Sequence, residues 1–142
     1  MTVLDVNILI YASVMEDANH NRVLTWLNNL FVGYDTIGLP WQTLAGFLRI
    51  STDRRLRVNP RTPADVFQNV RDWLEQPRVV IVHPGPHHLD LIEKMIVEGQ
   101  AIGPLVSDAV LAALAIENGA TLASTDRDFS RFPGLKWVNP LD

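Results

Sequence analysis

The apolar and polar residues of the chain follow two different periods, and these periods predict its secondary structure. Apolar runs at 1–4 and Val79–Val82 predict short buried strands, and two further short strands are predicted at 35–39, between Gly33 and Pro40, and at 120–125. Elsewhere, apolar residues recur every three or four positions, which is typical of one face of an amphipathic helix. The predicted helices begin at about residue 8 and span 19–30, 40–50, 62–75, 87–98 and 106–118, and residues 135–138 predict a last edge strand.

Residues at the predicted boundaries support several of these helices. Thr62 and Pro63 have the form of an N-cap followed by proline at the first helical position. Ser107 is a candidate N-cap for the last helix, and Gly119 can adopt the left-handed conformation that ends it. Because strands alternate with helices, the sequence predicts an α/β sandwich with a mostly parallel central sheet.

Two apolar patterns lead to finer expectations about burial. The β-branched run Val79–Val82 is typical of a strand that is covered on both faces of a parallel sheet. In the helix over 87–98, an inward-facing row is expected from helical spacing. This row consists of Leu89, Ile92, Met95 and Ile96.

Composition limits the number of domains and the classes of function. For 142 residues, of which 47% are hydrophobic, we expect a single domain over 1–142. The absence of cysteine excludes disulfides, a thiol nucleophile and a cysteine-based zinc site, and it suits a reducing cytoplasm. Asp5 and Asn7 interrupt the apolar start, so neither a signal peptide nor a membrane span is expected. The net charge of −4 argues against a protein that coats nucleic acid, but it leaves a nuclease open.

Four aspartates fall where the predicted elements would bring them together. Asp5 ends the first strand, Asp108 opens the last helix, and Asp126 and Asp128 follow the strand behind it. Ligands of an open parallel sheet bind outside the carboxyl ends of its strands, so these acids are expected in one pocket. The spacing of Asp126 and Asp128 would place both on one side of an extended backbone. Clustered carboxylates repel unless a cation joins them, and their hard oxygen atoms suit Mg2+ or Mn2+.

Each of these polar residues also has a purely structural interpretation. Asp108 could stabilise only the first turn of its helix, and Asp126 and Asp128 could be turn formers. Asn7 and Thr125 could orient carboxylates or bound water, although a structural role is the simpler interpretation for them. Asp5 is the hardest to explain structurally, because aspartate is seldom buried without a partner.

Basic, aromatic and histidine residues give further candidates. Arginines could hold RNA phosphates beside the acids or could simply be solvated; they are Arg49, Arg54, Arg55, Arg57 and Arg61, with Arg127 and Arg131 nearer the acids. Tryptophans at apolar helical positions are expected in the core or an interface rather than stacked on bases; they are Trp26, Trp41 and Trp73. A zinc site would lack a convincing fourth ligand; its three histidines would be His83, His87 and His88.

The acidic motifs, taken in order, carry a family resemblance. Asp5 in L-D-V-N, Asp108 in S-D-A-V-L-A-A-L-A and Asp126 in T-D-R-D-F resemble the PIN-domain ribonucleases, and more narrowly the VapC-type toxins of toxin–antitoxin pairs. The W-Q-T-L-A-G-F-L-R-I-S-T stretch is also similar. The resemblance implies a PIN-like three-layer α/β/α sandwich, a Mg2+- or Mn2+-dependent ribonuclease and a VapB-type antitoxin that occludes the site. It also suggests a homodimer and a tRNA or ribosomal RNA substrate.

On this interpretation Asp5, Asp108 and Asp126 bind the metal, with Asp128 as a fourth acid. The metal would activate a water for attack on a phosphodiester, leaving a 5′-phosphate and a 3′-hydroxyl. One position departs from the family pattern, because many members carry glutamate where Gly46 stands. That departure keeps open a weakly active or inactive PIN-like module that binds protein or RNA.

A phosphatase or receiver domain is a further alternative, because these proteins also gather aspartates on a parallel sheet. Such sites usually need a lysine near the phosphate. Only Lys94 and Lys136 are available in this chain, and neither lies in an obvious motif. The nuclease is therefore the preferred interpretation.

Overall fold

A parallel five-stranded sheet forms the centre of the computed structural model, which describes residues 1–56 and 61–142. The order across the sheet is β3-β2-β1-β4-β5, and every neighbouring pair is parallel. The strands are β1 (Thr2–Leu4), β2 (Ile37–Pro40), β3 (Val79–Val82), β4 (Thr121–Ala123) and β5 (Lys136–Val138). All three residues of β1 are buried, because this strand lies in the middle of the sheet with a neighbour on each side.

Helices cover both faces of the sheet, as the predicted three-layer α/β/α sandwich requires. They are α1 (Val6–Ser13), α2 (His20–Val32), α3 (Trp41–Thr52), α4 (Pro63–Glu75), α5 (His88–Gly99) and α6 (Leu105–Glu117), with a 3-10 turn at Arg127–Arg131. Leu4 of β1 points into the core formed with α1–α4, whereas Val3 points into the core formed with α5 and α6. Among the described residues, no helix has the length and apolarity needed to cross a membrane.

Helix α6 is fixed in place by its small side chains. Ala109, Ala112, Ala113 and Ala115 are fully buried, which allows α5 and the sheet to approach α6 closely. Gly119 follows the helix with a φ of 61°, the left-handed conformation predicted for it. This packing holds the first turn of α6 at a defined place above the sheet.

Two helices start earlier than their sequences predict. Helix α6 begins at Leu105 with Pro104 at the N-cap position, so the assignment of Ser107 as the cap was wrong. The Ser107 hydroxyl instead donates back to the carbonyl of Pro104 at 3.1 Å, inside the first turn. Helix α1 begins at Val6, directly after the strand, because the Asp5 side chain caps it.

Two expectations about burial were also wrong. Strand β3 is an edge strand, and Val80 is 40% exposed rather than covered on both sides. Leu89 stands at the start of α5, beyond the sheet, and is 76% exposed. Trp41, expected in the core or an interface, is 60% exposed at the first position of α3 and so lies outside the core.

Candidate metal-binding active site

Asp5 is held in one orientation at the carboxyl end of β1. Its Oδ1 accepts a 2.7 Å hydrogen bond from the backbone N–H of Val6, which caps α1. Its Oδ2 accepts hydrogen bonds from the Ser124 hydroxyl at 2.7 Å and from Asn7 Nδ2 at 3.0 Å. The carboxylate is therefore fixed by the strand end, the helix start and a residue from the far end of the chain.

Ser124 is a site residue that the sequence analysis missed. Its hydroxyl is fully buried, donates to Asp5 and accepts hydrogen bonds from Asn7 Nδ2 and from the backbone N–H of Asp126, each at 3.0 Å. It thus connects the carboxyl ends of β1 and β4. The only signal in the sequence was a polar residue placed directly after an apolar strand.

Asn7 and Thr125 lie in the same network, but in unequal roles. The Asn7 side chain donates to Asp5 and to Ser124. Its Oδ1 accepts the backbone N–H of Thr125 at 3.2 Å. Asn7 therefore orients its neighbours through its side chain, whereas the contact of Thr125 with this network is made by its backbone.

Asp126 and Asp128 are brought together by a turn, not by an extended strand. Strand β4 ends at Ala123, and Asp126 caps the 3-10 turn Arg127–Arg131 by accepting the backbone N–H of Asp128 at 2.9 Å. The expectation of an extended backbone was wrong, because the capping carboxylate closes the turn. The two side chains nevertheless reach the same place.

Three carboxylates converge at the carboxyl edge of the sheet. Asp108 lies in the first turn of α6, and one oxygen atom each from Asp108, Asp126 and Asp128 lie within 4.8 Å of one another. Asp5 is outside this group of three but is close enough for its charge to act on Asp108. Several carboxylate oxygens at such distances fit a divalent cation with a preference for hard ligands.

The electrostatics of the site reflect this crowding. The pKa of Asp108 is raised to about 6, chiefly by burial and then by the charges of Asp126, Asp5 and Asp128, while Arg131 opposes them. Burial also raises the pKa of Asp5, although its hydrogen bonds from Ser124 and Val6 act in the opposite direction. A cation at this site would relieve the repulsion among the carboxylates.

The arginines nearest the acids are engaged with protein atoms. Arg131 donates from Nη1 to the carbonyl of Gly99 at 3.2 Å, and its Nη2 lies 3.6 Å from Asp128 Oδ1. It therefore ties the end of α5 to the acidic turn. Arg127 forms an ion pair with Asp142.

The arginines at the end of α3 and in the segment after it differ in their surroundings. Arg55 pairs with Asp53 at 3.1 Å, and Arg61 donates to Asn69 Oδ1 at 2.7 Å. Arg49 and Arg54 are exposed. Arg57, also predicted as a phosphate ligand, lies outside the described residues.

The histidine segment and the lysines do not join this acidic group. Glu117 accepts the backbone N–H groups of Gly85 and His87, each at 2.9 Å, and its Oε1 lies 3.3 Å from Nδ1 of His88. These contacts attach the loop after β3 to the end of α6. Lys136 begins β5 and so stands at the amino edge of the sheet, away from the strand ends that the acids follow.

Known proteins with a similar sequence or fold were compared with this chain. The PIN domain family model matches residues 2–135. The chain belongs to the PIN domain family. The curated proteins similar to this PIN domain include Ribonuclease VapC33 of Mycobacterium tuberculosis, with 39% identity over 141 residues and 99% coverage of both chains. Ribonuclease VapC37 of the same organism is 36% identical over 140 residues, which are 99% of this chain and 97% of that protein.

Solved structures show the same fold for this PIN domain. VapBC2 from Rickettsia felis, bound to a DNA fragment from its promoter, matches with a TM-score of 0.71, 21% identity and 97% coverage of each chain. Mycobacterium tuberculosis VapC20, a sarcin–ricin loop cleaving toxin, matches with a TM-score of 0.68 and 15% identity over 96% of this chain and 99% of that one.

Gly46, the position at which the sequence departs from the expected family pattern, faces the first residue of α1. A Cβ atom at Gly46 would lie 3.2 Å from Cγ2 of Val6, which directly follows Asp5. A longer side chain at position 46 would therefore start beside the acidic site. In this PIN domain the backbone of Gly46, and not the side chain of a fifth acid, lies next to Val6.

Proposed function

We propose that the protein is a metal-dependent endoribonuclease and the toxin of a VapBC-type toxin–antitoxin pair. One observation carries the proposal: Asp108, Asp126 and Asp128 converge at the carboxyl edge of a PIN-domain sheet, where the charge of Asp5 also acts on Asp108. Relatives of the same length, more than a third identical, are ribonucleases. Four carboxylates at one place are costly to a fold unless they bind a cation.

The proposed ion is Mg2+ or Mn2+, held by Asp108, Asp126 and Asp128. Asp5 would add its negative charge beside this ion. When bound, the ion supplies positive charge that lowers the pKa of a water and stabilises the charge on the phosphate. Cysteine and histidine, which would favour a softer metal, are absent from the group of ligands.

The chain's own residues set the geometry for this chemistry. Ser124 and Asn7 hold Asp5, and the Ser124 hydroxyl also fixes the backbone of Asp126. Arg131 holds the turn that carries Asp128. Because water, and not the 2′-hydroxyl of RNA, would attack the phosphodiester, we expect hydrolysis to leave a 5′-phosphate and a 3′-hydroxyl.

The partners follow from the relatives. The similar structures from Rickettsia felis and from nontypeable Haemophilus influenzae are VapBC complexes, so we expect a VapB-type antitoxin and a homodimeric toxin for this chain. VapC20 cleaves the sarcin–ricin loop, which makes ribosomal RNA one candidate substrate class and tRNA the other. We expect the protein to act in the cytoplasm, where these RNAs are found.

Gly46 favours a second candidate function. Without the family's glutamate, the same domain could bind an RNA or protein partner and cleave slowly or not at all. Metal binding without turnover would indicate this module.

The proposed function is tested by incubating the purified protein with tRNA and ribosomal RNA, with Mg2+ or Mn2+ and with EDTA. Cleavage that needs the metal and disappears in Asp108→Asn supports the nuclease. Metal binding with no cleavage of either RNA supports the binding module.

A further inference from the structure

Helix α3 presents a row of exposed residues that the metal site does not use. Trp41, Ala45 and Arg49 follow one another at intervals of four residues and are all exposed, with Gln42 exposed beside them. Residues at this spacing lie along one face of a helix. This row, Trp41, Gln42, Ala45 and Arg49, is called the α3 track below.

The track starts at the edge of the acidic site. Trp41 directly follows β2, which pairs with β1, the strand that ends at Asp5. The Gln42 side chain donates a 2.9 Å hydrogen bond to the carbonyl of Ser107, the residue before Asp108. The first turn of α3 is therefore attached to the first turn of α6, where the acidic cluster lies.

Trp41 presents an exposed indole at the start of the track. It is 60% exposed, whereas Trp73, on the neighbouring helix, packs edge-on against Phe47 with ring centroids 4.8 Å apart. Trp residues are on average highly buried, so this indole leaves a large apolar surface available next to the acidic site. Its flat apolar surface is suited to stacking against an unpaired nucleobase.

Arg49 gives the track a positive end. It lies two helical turns beyond Trp41, about 12 Å along the axis at the ordinary rise of a helix. The small side chain of Ala45 lies between them, so the surface of the track is recessed between Trp41 and Arg49. An indole and a guanidinium at this separation can take a base and a phosphate of the same extended strand, the combination typical of single-strand binding.

We propose that the α3 track binds single-stranded RNA next to the acidic site, with Trp41 stacking on a base and Arg49 holding a backbone phosphate. This inference rests on the proposed nuclease function, because it assigns the substrate contact of that same site. It reverses the sequence expectation that Trp41 belongs to the core or to an interface. It also selects single-stranded regions of the substrate, since a base can stack on Trp41 only when it is unstacked from its neighbours.

The test separates RNA binding from RNA cleavage. Binding is measured in EDTA by fluorescence anisotropy of a fluorescein-labelled single-stranded RNA of mixed sequence and of an abasic ribose-phosphate chain of the same length. The proteins are the wild type, Trp41→Ala, Trp41→Phe and Arg49→Gln. The matched controls are Leu89→Ala, an exposed apolar residue of α5, and Arg71→Gln, an exposed arginine of α4.

The proposal predicts a different result for each ligand. Trp41→Ala weakens binding of the RNA roughly 5- to 100-fold but leaves the abasic chain nearly unaffected, and Trp41→Phe restores most of the loss. Arg49→Gln weakens binding of both chains and lowers the salt dependence by about 0.7 in the logarithmic slope, the value for one phosphate of a single strand. Both control variants bind as the wild type does, and the melting temperatures of all the variants stay close to that of the wild type.

Equal binding of the RNA by the wild type, Trp41→Ala and Arg49→Gln would overturn the proposal. If those variants in addition lose the antitoxin complex, the track is a protein-binding surface instead. The cleavage assay is read separately: if the wild type cleaves RNA with metal and the track variants bind normally, the track inference fails while the proposed function stands. If the wild type never cleaves, the proposed function fails whatever the anisotropy shows.

Discussion

The Ser124 hydroxyl donates a 2.7 Å hydrogen bond to Oδ2 of Asp5, although 119 positions separate the two residues. The bond joins the ends of β1 and β4, the two adjacent strands that position the acidic cluster. The same hydroxyl accepts the backbone N–H of Asp126, so one buried side chain sets the distance between two candidate metal ligands. The pairing of β1 and β4 therefore brings these two acids to the same edge of the sheet.

Replacing Ser124 by alanine should destabilise the protein and weaken metal binding. The substitution removes one hydrogen bond each from Asp5 and Asn7 and takes away the Ser124 hydroxyl that accepts the N–H of Asp126, which costs about 1–3 kcal/mol of unfolding free energy. Chemical unfolding of the metal-free protein measures the first effect, and titration with Mn2+ measures the second.

Ser51→Ala is the matched control for that experiment. Ser51 is also fully buried, but its hydroxyl has no hydrogen-bond partner among residues 1–56 and 61–142. Its replacement should change stability much less than Ser124→Ala does and should leave Mn2+ affinity unchanged. Equal losses for the two variants would show that the Ser124 network does not hold the site together.

Asp108→Asn should stabilise the metal-free protein at neutral pH. The pKa of Asp108 is raised from 3.8 to about 6, so the folded state binds this proton more tightly than the unfolded state does. Stability from this group falls as the pH rises through that window and stays low above it. Asparagine carries no charge and so avoids the cost of an ionised carboxylate in the folded state. The expected gain in the free energy of unfolding is about 1 kcal/mol, well below what the full pKa shift would give, because the carboxylate is half exposed to solvent.

Melting temperatures of the wild type and Asp108→Asn, followed against pH in EDTA, measure this difference. The advantage of the variant should vanish below about pH 4, where the wild-type carboxyl is protonated in both states. Adding Mg2+ should raise the melting temperature of the wild type more than that of the variant. Asp90→Asn, in the first turn of α5, is the control and should be slightly destabilising, because its carboxylate favours the helix dipole. A variant no more stable than the wild type at neutral pH would contradict the account of crowded carboxylates.

Gly46→Glu should increase the affinity for metal. Position 46 faces Val6, directly after Asp5, so a glutamate there can bring a further carboxylate to the site at the cost of a shift in Val6. Gly46→Gln has nearly the same shape without the charge and should leave the affinity unchanged. Isothermal titration calorimetry with Mn2+ measures the affinity of both variants. An equal change in affinity for Gly46→Glu and Gly46→Gln would contradict the prediction that the added charge strengthens metal binding.

The sequence predicted the architecture and most of the acidic site, because both depend on local patterns. Neighbouring residues were sufficient to predict that Asp5 follows an apolar strand and that Asp108 lies at the start of a helix. Ser124 could not be predicted in the same way, since its role depends on β1 and β4 pairing across the whole chain. The convergence of Asp126 and Asp128 was expected for the wrong local reason, because a capped turn replaces the extended backbone.

The surface was less predictable than the core. Trp41 fits the apolar pattern of α3 but stands at its first position, where the helix has not yet reached the core, and only the structure reveals its exposure. Val80 shows the same limit, because β-branched residues indicate a strand but not its place in the sheet.

The central claim is tested most directly by the products of RNA cleavage. Purified protein is incubated with tRNA and ribosomal RNA in the presence of Mg2+, Mn2+ or EDTA, alongside Asp108→Asn and the control Asp90→Asn, and the ends of the fragments are analysed. The account predicts cleavage that requires the metal, leaves 5′-phosphates and 3′-hydroxyls, is lost in Asp108→Asn and persists in Asp90→Asn. Cleavage that continues in EDTA and leaves 2′,3′-cyclic phosphates, or that survives in Asp108→Asn, would contradict it.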